Sequence, residues 1–212
     1  MKFRSRGDAG HQLGQHLLEY TVKPDLTVGL PRGGVVVAAE VARVLQCPLD
    51  VLVVRKIGHP WHREFAVGAL AEKEVMILDE GTLNSDLLAG EKVRTIIREE
   101  SERLLACERK FHSEVQSDFN RKRILLIDDG LATGATAQAA VLSARKQGAQ
   151  AVIVAAPVAS TEAVERLKQV ADAVIALFVD PGFEAVGQYY DEFPQISDAE
   201  VISLLATTRI VG

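Results

Sequence analysis

The sequence predicts an α/β fold in which helices cover both faces of a doubly wound, mainly parallel sheet of five strands. Short apolar runs alternate along the chain with longer runs of helical periodicity, which is the order that βαβ units produce. The apolar runs are continuous, as expected for strands that are buried on both faces. The 212 residues can bury a substantial core, and this length fits two domains as well as a single domain with an added flap; we predict the single domain, over residues 1–212.

Composition and charge exclude several functional classes. The formal net charge is -5 and the calculated pI is near 5.6, which argue against a general nucleic-acid-binding surface. No run approaches the ~18 apolar residues of a membrane span. Residues 1–6 are not followed by the apolar core of a signal peptide, so a cytoplasmic protein is expected. Cys47 and Cys107 are too few and too far apart for a disulfide framework or a metal site.

The first elements lead to a glycine-containing loop. A helix that begins at Asp8 and continues to about residue 20 is expected to cover one edge of the sheet. Residues 26–30 form the first predicted strand, and the sequence Pro-Arg-Gly-Gly at residues 31–34 separates it from a helix over residues 35–45. The two glycines let the backbone approach a ligand closely, and the planar guanidinium of Arg32 matches phosphate oxygens. A tight turn with a solvated arginine is the alternative.

A second strand, predicted over residues 49–54, ends at two basic residues. Arg55 and Lys56 should lie on the same side of the sheet as Arg32. Because neighbouring residues of a strand face opposite ways, only one of the two is expected to point toward a ligand there. Solvated or salt-bridged side chains are the alternative.

The chain before the central strand is expected to hold a strand pair and a long helix. Residues 64–70 and 75–78 could pair as strands. A helix over about residues 85–115 carries apolar residues at three- and four-residue steps, with charges of both signs on the remaining positions, which favours a solvated face. An exposed part of its apolar stripe could support a homodimer. His59 and His62 lack further ligands at a metal-binding spacing.

Residues 123–136 combine the features of a ligand site. Four aliphatic residues form a strand, Asp128 and Asp129 stand at its carboxyl end, and a loop of small residues leads into a helix over residues 137–147. The backbone N–H groups of residues 132–136 have no intrahelical acceptor. A phosphate can therefore accept hydrogen bonds there while it meets the positive end of the helix dipole.

The groups in this stretch match the parts of a ribose 5-phosphate. Thr133 and Thr136 add hydroxyl donors to the amides that would hold the phosphate. Asp128 and Asp129 can accept hydrogen bonds from a vicinal diol and can hold a hydrated Mg²⁺. An ordinary strand, turn and helix with an acidic turn is the alternative, but the whole string at this spacing favours the ligand site.

The remaining elements complete the sheet. Residues 151–156 and 173–179 supply two further strands on either side of a helix over residues 161–170, which gives about five parallel strands. The last strand leads into an aromatic segment that begins at Phe183.

Residues 123–136 resemble the phosphoribosyl-pyrophosphate (PRPP) signature of the type I phosphoribosyltransferases, which is an apolar strand, two acids and a Thr-Gly-x-Thr loop. The sequence Leu-Ala-Thr-Gly at residues 131–134 is similar to that of adenine phosphoribosyltransferases. The resemblance is strong over residues 123–148, fair over residues 26–56 and limited to topology elsewhere. It implies a flavodoxin-like arrangement of the sheet.

The resemblance implies a role for each part of the predicted site. Asp128 and Asp129 would meet the ribose 2' and 3' hydroxyls. Gly130 stands where the family more often has an apolar residue, and Ala135 where it often has glycine, but neither change removes a group that the chemistry needs. The implied 5'-phosphate loop consists of Leu131, Ala132, Thr133, Gly134, Ala135 and Thr136, and the implied pyrophosphate site consists of Arg32, Gly33, Gly34, Arg55 and Lys56.

The resemblance also implies two elements that cover the substrates. A flap within residues 57–84 would close over the site and exclude water. A C-terminal hood, over about residues 180–212, would contact the acceptor base, with Phe183 as the residue that stacks on it and Tyr189 and Tyr190 as further candidates. Alternatively, Phe183 anchors the C-terminal segment to the core.

The implied reaction transfers the phosphoribosyl group of PRPP to a nitrogen base and releases pyrophosphate. Asp128, Asp129 and Arg32 are the implied catalytic residues, and Mg²⁺ would be held through substrate and water near the two aspartates. The sequence identifies neither a general base nor the acceptor. A non-catalytic sensor of PRPP or nucleotides with the same fold is the alternative. A dinucleotide-binding dehydrogenase is disfavoured because no Gly-x-Gly-x-x-Gly follows a strand.

Overall fold

The computed structural model describes residues 1–20, 23–61, 66–78, 90–112 and 117–208. Its helices are α1 (Arg6–Leu17), α2 (Gly33–Leu45), α3 (Glu91–Phe111), α4 (Ala135–Lys146), α5 (Thr161–Leu167) and α6 (Asp198–Thr208). Its strands are β1 (Leu26–Gly29), β2 (Leu49–Val51), β3 (Val54–Gly58), β4 (Ala66–Ala71), β5 (Val75–Leu78), β6 (Arg123–Ile127), β7 (Ala151–Ser160) and β8 (Ala173–Asp180). A short 3-10 helix, Val186–Tyr189, lies between β8 and α6.

Five parallel strands form the main sheet, in the order β2-β1-β6-β7-β8. This confirms the predicted doubly wound, parallel fold. The chain builds outward from β1 to β2 and later returns to the other side of β1 with β6. The strand order therefore reverses between β1 and β6, which opens a crevice at their carboxyl ends.

Helices cover both faces of the main sheet. Ile124 and Leu126 of the central strand belong to the core that includes residues of α4 and α5. Leu125 and Ile127 belong to the opposite core, which includes residues of α1, α2, α3 and α6. None of the four side chains is more than 2% exposed, which is the burial that the continuous apolar run predicts.

Helix α1 differs from its prediction in its start and its end. Ser5 rather than Asp8 is the N-cap, because the Ser5 hydroxyl accepts the N–H of Asp8 at 3.3 Å. Asp8 lies in the first turn, where its carboxylate accepts the N–H of Arg4 at 3.0 Å. The helix ends at Leu17 and packs chiefly along α2, with fewer contacts to β7 and to the edge strand β8.

The predicted second strand is divided between two sheets. Strand β2 ends at Val51, and the chain then enters a separate antiparallel sheet made of β3, β4 and β5. Leu52 and Val53 are buried between them, and the Val53 N–H donates to the buried carboxylate of Glu72 at 2.7 Å. Because the residues at this bend are as apolar and as buried as those of the strands, the sequence does not show where β2 ends and β3 begins. The predicted pairing of residues 75–78 with the preceding strand is confirmed.

Parts of two predicted segments lie outside the described residues. The expected flap, residues 57–84, includes the undescribed residues 62–65 and 79–84, and the ends of the helix expected over residues 85–115 are undescribed as well. The described helix α3 is amphipathic, with mixed charges on its outer face. In the ranges that the structure describes, no helix has both the length and the apolar character needed to cross a membrane.

Helix α6 is not among the predicted elements, although the sequence carries a start signal for it. The Glu200 N–H donates to the Ser197 hydroxyl at 3.2 Å, and the Glu200 carboxylate accepts the N–H of Ser197 at 2.8 Å. This reciprocal pair is a capping box, and its Ser-x-x-Glu spacing is visible in the sequence. Val201 and Leu205 are buried in the core on the α2 side of the sheet.

Candidate active site

A cavity of about 540 Å³ opens where the strand order reverses, at the carboxyl ends of β1 and β6. Open α/β sheets bind ligands at this position. The cavity is lined by the loop after β1, strand β3, helix α3, the loop that joins β6 to α4, and Val186 of the 3-10 helix. The structure thereby brings together segments that are about 100 residues apart in the chain and that were predicted separately to bind parts of one ligand.

The two aspartates at the end of β6 both line the cavity but differ in their surroundings. The Asp128 carboxylate accepts the N–H of Asp129 at 2.9 Å. Burial and the neighbouring negative charge of Asp129 raise the pKa of Asp128 well above its usual value. Asp129 instead has a cationic partner, since its Oδ2 accepts a hydrogen bond from Nε of Arg6 at 2.7 Å.

The glycines of the loop after β1 bring that loop into contact with the two aspartates. A Cβ on Gly33 would overlap the carboxylate of Asp129. A Cβ on Gly34 would lie 2.8 Å from the carbonyl oxygen of Ile127 and 2.9 Å from Cα of Asp128. Two consecutive glycines therefore allow a close approach between two parts of the protein as well as to a ligand.

The predicted phosphate loop surrounds the start of helix α4. Gly134 is the N-cap, with a φ of +74°, and supplies no side chain to cap the helix. The N–H of Ala135 donates to the Thr133 hydroxyl at 3.4 Å, and the N–H groups that follow it remain available toward the cavity, which Thr133 and Thr136 also line. Ala135 starts the helix with no positive φ, so the alanine in place of a family glycine imposes no strain.

Leu131 anchors this loop more than it faces a ligand. Its N–H donates to the carbonyl of Val158 at 2.9 Å, and its side chain is 2% exposed. The hydroxyl of Ser160 donates to the carbonyl oxygen of Ala132. The extended end of β7 therefore holds the loop, and the donors that can reach a phosphate begin after Leu131.

The predicted basic residues line the cavity, and two of them form ion pairs. Nε of Arg32 donates to Asp198 at 2.6 Å, and Nε of Arg55 donates to Glu100 at 2.9 Å. Arg55 and Lys56 both line the cavity. The expectation that only one of the two side chains points toward a ligand stays a prediction.

Helix α3 contributes a carboxylate and a further cation that the sequence did not indicate. The side chain of Glu100 is 10% exposed and lies between Arg55 and Arg103, which both donate to it. Glu100 and Arg103 line the cavity. They occupy ordinary positions on an amphipathic helix, so no local pattern distinguishes them from solvated charges.

Residues near the start of the chain and in the segment after β8 also reach the site. Arg6 contacts Asp129 and also donates to the carbonyl oxygen of Pro194 at 2.8 Å. The hydroxyl of Tyr190 donates to the carbonyl oxygen of Asp129 at 2.6 Å. Asp198 is held by Arg32 and also by Lys110. Sequence reasoning missed Arg6 and Asp198 and gave Tyr190 only a stacking role, because each of these contacts joins distant positions.

Phe183, the expected base-stacking residue, is not among the described residues that line the cavity. Its ring packs on Tyr189 with the ring centroids 5.2 Å apart. Tyr189 is buried and donates its hydroxyl to Asp180 at 2.8 Å. This is the anchoring arrangement that the sequence left open, and Val186 is the residue of this segment that reaches the cavity wall.

The chemistry of the site suits a Mg²⁺ ion shared with a substrate. Within the described ranges, no group of three or more His, Cys, Asp and Glu side chains is placed to hold a metal ion by itself. Asp128 and Asp129 present carboxylate oxygens beside the cavity. Mg²⁺ is commonly bound by one or two carboxylates together with substrate phosphates and water, so this donor set fits the ion.

Comparison with known sequences shows one family. The profile of the phosphoribosyl transferase domain matches residues 7–185. Proteins of two Mycobacterium tuberculosis strains, provisionally named phosphoribosyl transferases, are 41% identical over 204 residues, which is 96% of this chain and 46% of theirs. The chain therefore spans about half the length of the curated relatives that it matches.

Comparison with solved structures shows the same fold. The crystal structure of TT1426 from Thermus thermophilus has a TM-score of 0.80 and 39% identity, covering 98% of this chain and 99% of that one. The purine phosphoribosyltransferase of Pyrococcus horikoshii has a TM-score of 0.50 and 20% identity, covering 92% of this chain and 97% of that one. At that identity the second likeness concerns the fold alone.

Proposed function

Because the chain belongs to the family of proteins with a phosphoribosyl transferase domain, we propose that it binds PRPP with Mg²⁺ and transfers the phosphoribosyl group to a nitrogen base, with release of pyrophosphate. The observation that carries the proposal is the juxtaposition of Asp128 and Asp129 with the start of helix α4, whose N-cap glycine supplies no capping side chain. Carboxylates suit sugar hydroxyls, and free helix amides suit a phosphate.

In this proposal each part of PRPP has its own partners. The N–H groups at the start of α4, with Thr133 and Thr136, bind the 5'-phosphate. Asp128 and Asp129 bind the ribose hydroxyls. The loop over residues 31–34 binds the pyrophosphate, and Arg32, Arg55 and Lys56 supply positive charge. A bound Mg²⁺ would neutralise part of the phosphate charge.

The proposed chemistry depends on electrostatics and positioning. Breaking the bond between ribose C1 and pyrophosphate builds positive charge on the sugar and negative charge on the leaving group. Arg32 and Lys56 would stabilise the leaving group, and Asp128 and Asp129 would hold and electrostatically support the sugar. Lys56 is exposed and, within the part of the chain that the structure describes, has no carboxylate within ion-pair distance, so it can meet the pyrophosphate without releasing a partner.

We also propose the flap and the hood for this chain. The described part of the flap, within residues 57–84, belongs to the antiparallel sheet of β3, β4 and β5 beside the cavity. The hood, over about residues 180–212, would carry the acceptor side, where Val186 reaches the cavity and Phe183 lies behind it on Tyr189.

A sensor that binds PRPP without turnover is the second candidate. Arg32 and Arg55, two of the cations that would take up the leaving-group charge, are already paired with Asp198 and Glu100. Charge that develops on the leaving group requires these pairs to open or to be shared with the ligand, whereas Lys56 and the amides of α4 could hold PRPP while the pairs stay closed.

Two measurements test the proposal. The first incubates the protein with PRPP, Mg²⁺ and a panel of purines, pyrimidines and pyridine bases and measures released pyrophosphate. An enzyme releases pyrophosphate with at least one base, whereas a sensor binds PRPP and releases none.

The second measurement is a calorimetric titration of PRPP into a variant that carries both Asp128→Asn and Asp129→Asn. We expect affinity to fall about 100-fold, because two hydrogen bonds to charged acceptors are weakened. The change removes repulsion between two adjacent acids but also takes the opposite charge from the buried Arg6, so thermal unfolding of the variant is measured alongside the titration. Asp118→Asn, an exposed acid outside the cavity, is the matched control. Unchanged affinity in the double variant would remove the ribose assignment.

A further inference from the structure

A buried arginine of the first helix contacts one of the two aspartates. Arg6 is the first residue of α1, and its side chain is 8% exposed. A guanidinium in such surroundings is costly unless hydrogen bonds and opposite charge compensate it. The groups that contact Arg6 must therefore supply this compensation.

Three groups from distant parts of the chain hold Arg6. Its Nε donates to Oδ2 of Asp129 at 2.7 Å, and its Nη1 donates to the carbonyl oxygen of Pro194 at 2.8 Å. The guanidinium carbon lies 3.7 Å from the centre of the Phe193 ring. A planar guanidinium can donate hydrogen bonds in two directions while it stacks on an aromatic ring. A lysine side chain cannot reproduce this arrangement.

This arrangement fixes the carboxylate of Asp129 at the edge of the cavity. Oδ2 accepts the bond from Arg6, and the carboxylate also faces the cavity. The positive charge of Arg6 lies beside the two adjacent acids and offsets part of their mutual repulsion. The hydroxyl of Tyr190 holds the Asp129 carbonyl, so both the main chain and the side chain of this acid are restrained.

We propose that Arg6 is a positioning residue, which orients Asp129 for the ribose hydroxyls and makes that orientation depend on the C-terminal segment at residues 193–194. This inference rests on the proposed function, because it requires that the aspartates bind ribose. The predicted consequence is selective: loss of Arg6 impairs ligands that carry ribose and spares ligands that carry only pyrophosphate. A residue with a general structural role would affect both.

The test compares Arg6→Lys and Arg6→Met with the intact protein. PRPP, ribose 5-phosphate and inorganic pyrophosphate are titrated separately by calorimetry in the presence of Mg²⁺. We expect Arg6→Lys to bind PRPP and ribose 5-phosphate about tenfold more weakly, since one charged hydrogen bond is lost or misdirected. Arg6→Met should lose more, and pyrophosphate affinity should be unchanged in both variants.

Arg4→Met is the matched control, because Arg4 lies two residues away, is 86% exposed and pairs with Asp8 on the surface. Its affinities for all three ligands should equal those of the intact protein. Thermal unfolding checks each variant. If Arg6→Met does not fold, the comparison is made with Arg6→Lys and Phe193→Leu. Phe193→Leu removes the ring beneath the guanidinium, which also packs on Tyr190, and should weaken the ribose ligands alone.

The outcomes separate this inference from the proposed function. If the intact protein binds neither PRPP nor ribose 5-phosphate, the proposed function fails, and the inference fails with it. If the intact protein binds them and Arg6→Lys binds them equally or more tightly, only the inference is overturned. An equal loss of affinity for all three ligands in Arg6→Lys would also overturn it, because it would indicate a general structural role.

Discussion

At the scale of single residues, Asp128 and Asp129 show how adjacent identical side chains acquire different properties. Asp129 has the charged partner Arg6, whereas Asp128 is desolvated and lies beside the charge of Asp129. The raised pKa of Asp128 means that this carboxyl holds its proton to a higher pH than an ordinary aspartate. The two acids are the same residue type, so the difference between them comes from their surroundings.

This difference predicts a pH dependence of PRPP binding. Sugar hydroxyl donors and Mg²⁺ prefer the charged carboxylate, so binding should release a proton from Asp128 and should weaken as the pH falls through its raised pKa. Calorimetry in buffers of different ionisation enthalpy measures the released proton. Asp128→Asn is the control, because the phosphates of the ligand also titrate near about pH 6. Equal proton release in the variant and the intact protein would contradict this assignment.

The free protein should show the opposite trend in stability. A carboxyl whose pKa is raised by folding lowers the free energy of unfolding as the pH rises from its ordinary value through the folded value. Asp128→Asn should remove this decrease, which chemical denaturation at several pH values would detect.

Residue-level prediction from sequence succeeded where a site is local in the chain. Asp128, Asp129, Thr133 and Thr136 come from one continuous stretch, and all of them line the cavity. Arg6 contacts Asp129 across 123 positions, and no spacing rule indicates such a contact. It becomes visible only when the fold brings α1 beside the end of β6.

At the scale of elements, the loop between β6 and α4 depends on one glycine. Gly134 has a φ of +74°, and a Cβ there would lie 3.2 Å from Cα of Ala163 on α5. Both the backbone conformation and the contact between two elements therefore require glycine. The same residue sets the direction in which the first N–H groups of α4 point.

Gly134→Ala should therefore lower the free energy of unfolding by about 1–2 kcal/mol, because an alanine is forced into the left-handed region. It should also weaken ribose 5-phosphate binding, since the helix amides shift. Denaturant unfolding and calorimetric titration measure the two effects. Gly182→Ala is the control, as Gly182 has no positive φ and its nearest neighbour would be 3.4 Å from the new Cβ. Equal behaviour of the two variants would contradict this account of the loop.

Elements with strong periodicity were predictable, and those that end inside an apolar run were not. The continuous aliphatic run of β6 indicated a strand buried on both faces, which the structure confirms. Residues 49–54 looked like one strand, but the buried bend at Leu52 and Val53 carries no polar residue to mark it. Helix α6 has a capping box at residues 197–200 and could have been found from it.

At the scale of the whole molecule, residues near the start of the chain meet the segment after β8 beside the cavity. The N–H of Phe3 donates to the carbonyl of Tyr189, and the N–H of Asp191 donates to the carbonyl of Phe3, both at 2.8 Å. From this paired region Arg6 reaches Asp129, and from α6 Asp198 reaches Arg32. The proposed ribose and pyrophosphate sites are therefore both braced by residues near the chain ends.

The architecture was predictable because the order of strands and helices allows few sheet topologies. The completion of the site by the chain ends was not, since it depends on tertiary pairing of short irregular segments. The segment after β8 shows this limit. The aromatic side chain of Phe183 is of a type that can stack on a base, but in the structure it packs on Tyr189. Composition alone does not distinguish an anchor from a ligand contact.

A crystal structure of the protein with PRPP and Mg²⁺ tests the central claim most directly. We predict the 5'-phosphate at the start of α4 beside Thr133 and Thr136, the ribose hydroxyls on Asp128 and Asp129, and the pyrophosphate along residues 31–34. Density for PRPP at any place other than the loop between β6 and α4 would contradict the account.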